Sequence, residues 1–362
     1  MIDFRFNYPV LPAQDQLFQD ALRTAEPDPA YLRMEPLESF PDVREAAARW
    51  LSRSGRGLSP DSVLVTCGGH HALTVILLAA GLPGSAVVVD PLTYNGFMGL
   101  AAFLGVRLLP GENDEAGMKP DALRRLCERE AVRAVYLMPT IHNPLGTVMP
   151  LARRRELVAV AEQYDLLLID DDAYGYLAAD APASFFELAP ERSFYIYSLS
   201  KVIAPGLKTG FLLAPDRFRE KLTSAIRVTT SGSVPFYTKL VGRWMQDGRL
   251  AGLIEEKRED ARQRQDLARL ILAGIPYKAH PTSYHLWLPL PFPAEEFSAS
   301  LRSRGVDVIP GQSYSPSPVA AINGVRVALG SEKPDRVREG LTLLADHYFA
   351  QATGTTSTGR VA

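Results

Sequence analysis

The residues with most chemical promise lie in the stretch Tyr197-Ser198-Leu199-Ser200-Lys201-Val202-Ile203-Ala204-Pro205-Gly206-Leu207-Lys208. Two hydroxyls and a lysine close an apolar run, and a Pro-Gly turn then supplies a second cation. A lysine is a nucleophile only as its free amine, so it needs desolvation and nearby positive charge to lower its pKa. Lys208 is such a neighbour in sequence. Three further groups also follow apolar runs. Gly68-Gly69-His70 comes after residues 63–66, where two glycines at a helix start leave backbone N–H groups open to a phosphate. His142-Asn143-Pro144-Leu145-Gly146 comes after residues 134–138, and Asp170-Asp171-Asp172-Ala173-Tyr174 closes the run at 166–169. Taken singly, each has a plain structural account: a strand-to-helix turn, an Asn-Pro turn, a solvated or helix-capping acid run, an exposed loop lysine.

Such groups meet only if a sheet ends its strands on one side. Short apolar strands are predicted over 63–66, 85–90, 106–109, 134–138, 166–170 and 193–197, alternating with helices over 70–80, 95–104, 120–128 and 151–164. This alternation predicts an α/β domain with a mostly parallel sheet. In open α/β sheets, ligands sit beyond the carboxyl ends of the strands, where all four groups fall. From about Asp216 the pattern turns helical, with a charged helix over 255–272. An extended segment at 284–288, a helix over 294–304, strands over 306–309 and 324–329, and a helix over 333–349 then predict a smaller α+β unit. The expected organisation is an N-terminal segment, 1–42, contributing to the small domain and the substrate mouth, a large domain, 43–248, and a small domain, 249–350. A Thr/Gly/Ser-rich tail, 351–362, is expected to be disordered.

Composition narrows the function classes. The chain has 362 residues, 46% hydrophobic and 22% charged, as in an ordinary globular protein long enough for two cores. A formal net charge of -2 gives no general attraction to phosphate backbones or anionic lipid, so neither nucleic acid nor membrane is an expected partner. Cys67 and Cys127 lack metal or redox spacing and are expected as small buried apolar residues; no metal is expected. The longest apolar run, 72–82, is too short to span a bilayer, and MIDFRFNYPV lacks a secretory pattern, so a cytoplasmic protein is expected. Neither GxGxxG nor GxxxxGK[ST] occurs, which sets aside dinucleotide and nucleoside triphosphate loops.

A phosphate cradle, an acid, an amide, two hydroxyls and a lysine at successive strand ends describe an aromatic aldehyde bearing a phosphate and a ring nitrogen. The ligand expected from that set is pyridoxal 5'-phosphate. With the ordered motifs CGGHHAL, DPLTYNGF, HNPLG, DDDAYGYL, SLSKVIAPGLKTGF, HLWLPLP and GVRVALG, the chain resembles the fold-type I aminotransferases of class I/II from about Ile2 to Ala345. It is especially similar to the branch that includes the aminotransferase-like half of the MocR regulators. The resemblance implies a large domain with a central, mostly parallel seven-stranded sheet, a smaller α+β domain, and a homodimer with active sites at the subunit interface. It also implies transfer of an amino group from an α-amino acid to a 2-oxo acid. By the same resemblance Lys201 forms the internal aldimine, Asp171 pairs with the ring nitrogen, and Asn143 and Tyr174 hold the ring hydroxyl. Tyr94 stacks on the ring, while Gly69 and His70 backbone amides, Ser198, Ser200 and Lys208 hold the phosphate. Lys201, Asp171 and Tyr174 are the implied catalytic residues. Arg326 binds the substrate α-carboxylate, and Asn143, Asn7 and Tyr8 complete the substrate-binding set. Tyr8, Asn95, His142 and His285 are candidates for the side-chain pocket by position.

Three positions depart from the family pattern. Lys208 stands where arginine is usual, which keeps the charge and loses the bidentate fork. Asn7 stands at the place of a glycine, and Met34-Glu35-Pro36-Leu37-Glu38-Ser39 stands where a tyrosine should reach the partner's phosphate, with Tyr31 the nearest substitute. These changes spare Lys201 and Asp171. They leave open a second outcome, another pyridoxal phosphate reaction on an amino acid (lyase, cyclase or oxidase of specialised metabolism), and a third, a non-catalytic sensor. The chain starts within the module and shows no basic segment, so DNA binding is not expected.

Overall fold

A computed structural model describes residues 1–9, 11–24, 28–32, 40–52, 57–317 and 323–353. Seven strands form one sheet in the order Val63–Thr66, Gly210–Leu213, Ser193–Ser198, Leu167–Asp171, Val132–Leu137, Ala86–Val89 and Arg107–Pro110. Gly210–Leu213 is antiparallel to both neighbours, and the remaining adjacent pairs are parallel. The expected mostly parallel sheet is therefore present. The sequence pattern passed over Gly210–Leu213, which follows its neighbour through the short turn after Lys201 instead of through a crossover helix. Ala86–Val89, Leu167–Asp171 and Ser193–Ser198 are buried along their whole length, as strands covered by helices on both faces must be. That is why they read as apolar runs. Helix Gly69–Ala79 buries His71, Ala72, Leu73, Val75, Ile76, Leu77 and Ala79.

A second core gathers Ile2, Phe4, Ala268, Leu286, Phe297, Val325 and Leu341 around a three-stranded antiparallel sheet of His285–Pro289, Gly324–Ala328 and Ile309–Pro310. The expected strand over 306–309 is divided: Val306–Asp307 pairs in parallel with Ile2–Asp3, and Ile309–Pro310 pairs with Gly324–Ala328. Helix Arg249–Ile271 begins ahead of the expected 255 and serves both cores, with Leu250, Leu253, Ile254 and Ala261 in the first and Ala268 in the second. Helix Pro334–Ala352 includes Gln351 and Ala352, which composition had placed in a disordered tail. Residues 354–362 and the stretch Met34 to Ser39 lie outside the described residues. Neither cysteine is fully buried, contrary to expectation; Cys67 is half-buried, with its Sγ donating to the Gly232 carbonyl. Among the described residues no helix is long and apolar enough to cross a membrane, and no His/Cys/Asp/Glu group could hold a metal.

Candidate active site

The carboxyl ends of the parallel strands and the amino end of Gly210–Leu213 surround a cavity of about 380 Å³. Gly69, His70, Tyr94, Asn143, Asp171, Tyr174, Ser198, Ser200, Lys201, Lys208, Asn7, Tyr8 and Arg326 all line it. The acid run shows how the strand sorts its side chains. Successive residues of a strand point to opposite faces, so Asp170 turns from the cavity and accepts from the Phe185 backbone N–H at 2.9 Å. Asp172 accepts from the Tyr195 hydroxyl. Asp171 alone of the three lines the cavity, and its Oδ2 accepts from the Tyr136 hydroxyl at 2.8 Å. Burial raises the Asp171 pKa to about 6, opposed by the Tyr136 bond and reinforced by Asp172. A cation placed against this carboxylate would favour its charged form.

Lys201 stands on the short helix Leu199–Val202 that ends strand Ser193–Ser198. Its Nζ donates to the Asn7 carbonyl at 2.8 Å and lies 3.5 Å from the centroid of the Tyr8 ring. Burial, followed by the charges of Arg326 and Lys257, lowers its pKa to about 7. This corrects the expectation that Lys208 is the cation acting on it. Lys208 is exposed at the other end of the cavity, where its charge helps to lower the His70 pKa after burial has done most.

The opposite end is a polar cradle. Ser198 Oγ accepts from the backbone N–H groups of Gly69 at 3.3 Å and Ser200 at 3.4 Å. Gly68 has φ 88, a conformation that favours glycine, and a Cβ there would stand 3.5 Å from Ser200 Oγ. Lys208, itself left-handed at φ 46, closes the turn beside it. Backbone N–H groups at the start of the eleven-residue helix Gly69–Ala79, two hydroxyls and an ammonium suit a phosphate dianion. Tyr94 lines the wall, its hydroxyl 3.3 Å from His70 Nδ1, and burial raises its pKa.

Arg326 projects from Gly324–Ala328 and is 5% exposed. One terminal nitrogen donates to Asn143 Oδ1 at 3.0 Å, the other donates to the Arg5 carbonyl, and Nε has no partner. Behind it, Asn7 Nδ2 donates to the Tyr174 hydroxyl at 3.4 Å and to His285 Nδ1 at 3.3 Å. His285 Nε2 donates to the His142 carbonyl at 3.0 Å, and burial, then the charge of Arg326, lowers its pKa to about 3. A neutral imidazole that donates at Nε2 must accept at Nδ1, which orients the Asn7 amide. His142 and His285 therefore act behind the wall and do not line the cavity, whereas Tyr8 and Asn95 do. Tyr31 packs edge-to-face on Phe236 and lines a separate small cavity.

Two residues of consequence were missed. Tyr136 is an ordinary aromatic within a strand and gave no signal. Lys257 did: the buried positions Leu250, Leu253, Ile254, Lys257, Ala261, Arg264, Gln265 and Ala268 repeat at helical spacing, which puts this lysine on the apolar face.

An amine kept near neutrality, a buried carboxylate and a phosphate cradle at the strand ends of this sheet define a fold-type I pyridoxal phosphate protein. The donor set fits that cofactor in charge: an amine, a buried carboxylate, and backbone N–H groups with two hydroxyls and an ammonium line one cavity. The chain belongs to the aminotransferase class I and II family, whose profile matches residues 2–340. The HTH-type transcriptional regulator YdeF of Bacillus subtilis is 29% identical over 306 residues, 83% of this chain and 66% of the regulator. The regulator YjiR of Escherichia coli is 33% identical over 197 residues, 53% of this chain and 42% of that protein. The chain thus spans less than two thirds of the length of these regulators. The 2-aminoadipate transaminase of Thermus thermophilus is 28% identical over 295 residues, covering 78% of this chain and 73% of the enzyme. Among solved structures, an archaeal alanine:glyoxylate aminotransferase superposes with a TM-score of 0.88 at 22% identity, over 97% of this chain and 91% of its own. The α-aminoadipate aminotransferase LysN of Thermus thermophilus, complexed with N-(5'-phosphopyridoxyl)-L-leucine, gives 0.86 at 24% identity over 98% and 94%. At these identities the superpositions speak for the fold.

Proposed function

We propose that this chain is a pyridoxal phosphate-dependent aminotransferase that transfers the amino group of an α-amino acid to a 2-oxo acid. The observation that carries the reading is Lys201, an amine with a pKa of about 7 in the same cavity as a buried carboxylate and a buried arginine. When bound, pyridoxal phosphate supplies a ring that accepts the electrons left as an amino acid loses its α-proton. Gly69 and His70 N–H groups, Ser198, Ser200 and Lys208 would hold its phosphate. Asp171 would hold positive charge at the ring nitrogen, Asn143 and Tyr174 would hold the ring hydroxyl, and Tyr94 would pack against the ring.

Arg326 binds the substrate carboxylate. To do so it gives up the Arg5 carbonyl for a bidentate pair, a stronger partner than a neutral oxygen, and its free Nε adds a donor. Fixing the carboxylate sets which bond at the α-carbon faces Lys201. Lys201, neutral for a large fraction of the time at pH 7, takes the proton from that carbon and returns it elsewhere as general base and acid. Phe6 and Tyr8, the exposed members of the lining from the N-terminal segment, would exclude water as the site fills. A homodimer in the cytoplasm, acting on an amino acid and a 2-oxo acid without nucleic acid, membrane or metal, completes the reading.

The test is the visible spectrum of the protein with pyridoxal phosphate while amino acids are added without any 2-oxo acid. Stoichiometric conversion of the cofactor to its pyridoxamine form names the donor and supports transamination. Continuous product formation without an acceptor shifts the reading to a lyase, cyclase or oxidase. Cofactor binding with no conversion of any amino acid shifts it to a sensor, the alternative that similarity to the regulators favours.

A further inference from the structure

Three carbonyls of the N-terminal segment, at alternate residues, each accept from a cationic side chain. Arg5 O accepts from Arg326, Asn7 O from Lys201 at 2.8 Å, and Pro9 O from Lys257 at 3.1 Å. Three cations from three different elements thus meet one short segment at every second residue. Arg326 and Lys201 line the cavity; Lys257 does not, and it is wholly buried. Its Nζ also donates to the carbonyl of Lys201 itself at 3.0 Å, beside the Tyr176 hydroxyl, which donates to the same oxygen at 2.9 Å.

An ammonium buried on neutral carbonyls is costly, and a methionine of similar length would occupy the same space at less cost. The nearest acid that acts on Lys257, Asp260, is itself paired with Arg264 at 2.8 Å. What the ammonium does and a methionine cannot is join two backbones by hydrogen bonds and place positive charge near Lys201. We propose that Lys257 is a positioning residue for Lys201, tying its backbone to the N-terminal segment and holding its amine under a neighbouring positive charge.

Other groups around the two amines complete the electrostatics. Lys201 is faced by Arg326, Tyr8, Tyr174 and the neutral His285, whose pKa its charge helps to lower, and Lys257 by Asp260, Tyr176 and Tyr284, whose hydroxyl donates to the Lys257 carbonyl. Burial lowers the Lys257 pKa to about 7, the range in which Lys201 also titrates, so the two amines are coupled. The inference rests on the reading of Lys201 as the reactive amine.

Competitive acylation of the cofactor-free protein with trace acetic anhydride, over a range of pH and read at the Lys201 peptide by mass spectrometry, gives the midpoint of Lys201 directly. The wild-type midpoint is expected near 7. Removing the charge in Lys257→Met or Lys257→Gln should move it upward by about one pH unit, the effect of a single nearby charge. Lys257→Arg, which is charged at every pH in the range, should keep it at or below the wild-type value. An unchanged midpoint in whichever uncharged variant melts cooperatively overturns the proposal, as does an equal upward shift in Lys257→Arg. Failure of the Lys201 reading is separately visible, as absence of a cofactor absorption band in the wild-type protein.

Discussion

Lys201 and Asp171 carry opposite burdens of the same burial: desolvation lowers the amine and raises the acid, bringing both toward neutrality. Lys201→Ala should remove the Schiff-base absorption band, leaving that of the free aldehyde, and lower kcat by about 10³-fold or more, as loss of both an imine-forming and a proton-moving group requires. Asp171→Asn keeps an oxygen for the Tyr136 hydroxyl and loses the charge and one acceptor oxygen. It should bind cofactor and lower kcat by roughly 10²-fold to 10³-fold, the scale of losing one preorganised electrostatic partner, a result read by steady-state kinetics with absorption spectra. Arg326→Gln removes the largest charge that lowers Lys201. The KM for the amino acid should rise by about 10²-fold, matching the 2–3 kcal/mol of a charge-assisted pair. The pH midpoint for cofactor capture should move upward in the same variant, measured by rapid-mixing absorbance.

At the scale of elements, strand Leu167–Asp171 turns three adjacent acids into three different partners. The fold tolerates the charge of Asp170 poorly: burial raises its pKa to about 7, despite the opposing charge of Arg154. Because the folded value lies above the unfolded one, its stabilising contribution is complete below the unfolded pKa of 3.8 and is lost as pH rises through about 7. Asp170→Asn keeps an acceptor for the Phe185 N–H. Its melting temperature in cofactor-free protein should therefore vary less than that of wild type between about pH 4 and pH 7, as calorimetry at several pH values would show. Where that strand ends, Gly175 leaves room for Asp172, whose Oδ1 would lie 1.8 Å from a Cβ at this position. Gly175→Ala should cost about 1–3 kcal/mol in denaturant unfolding through overpacking.

Across the whole molecule, two cores are joined by helix Arg249–Ile271 and by the N-terminal segment, and the site lies where both meet the sheet ends. Phe4 anchors that segment in the second core, fully buried against Gly340. Phe4→Ala should destabilise by about 3–5 kcal/mol and raise the amino acid KM more than it lowers kcat. The carbonyls at Arg5 and Asn7 would then be presented less firmly to Arg326 and Lys201; parallel unfolding and kinetic measurements check both parts.

Much of this was legible from the residues in order. The apolar strands, the helices between them and the site groups following their ends are local patterns, fixed by side-chain period and by where glycine, proline and acids interrupt it. These put Lys201, the acid run, Asn143 and the phosphate cradle at the ends of elements, whereas the choice of Asp171 and the role of Arg326 came from the resemblance to the family. Strand Gly210–Leu213 was less legible because no crossover helix announces it. Which acid of the run faces the cavity, which cation lowers Lys201, and what the two histidines do depend on contacts between residues far apart in the chain. Lys257 reaches Lys201 and Pro9 only after the helix has packed between two cores. Local periodicity shows which face of that helix is buried; only the tertiary structure decides which carbonyls its ammonium meets, because electrostatics acts through space and sequence separation sets no distance.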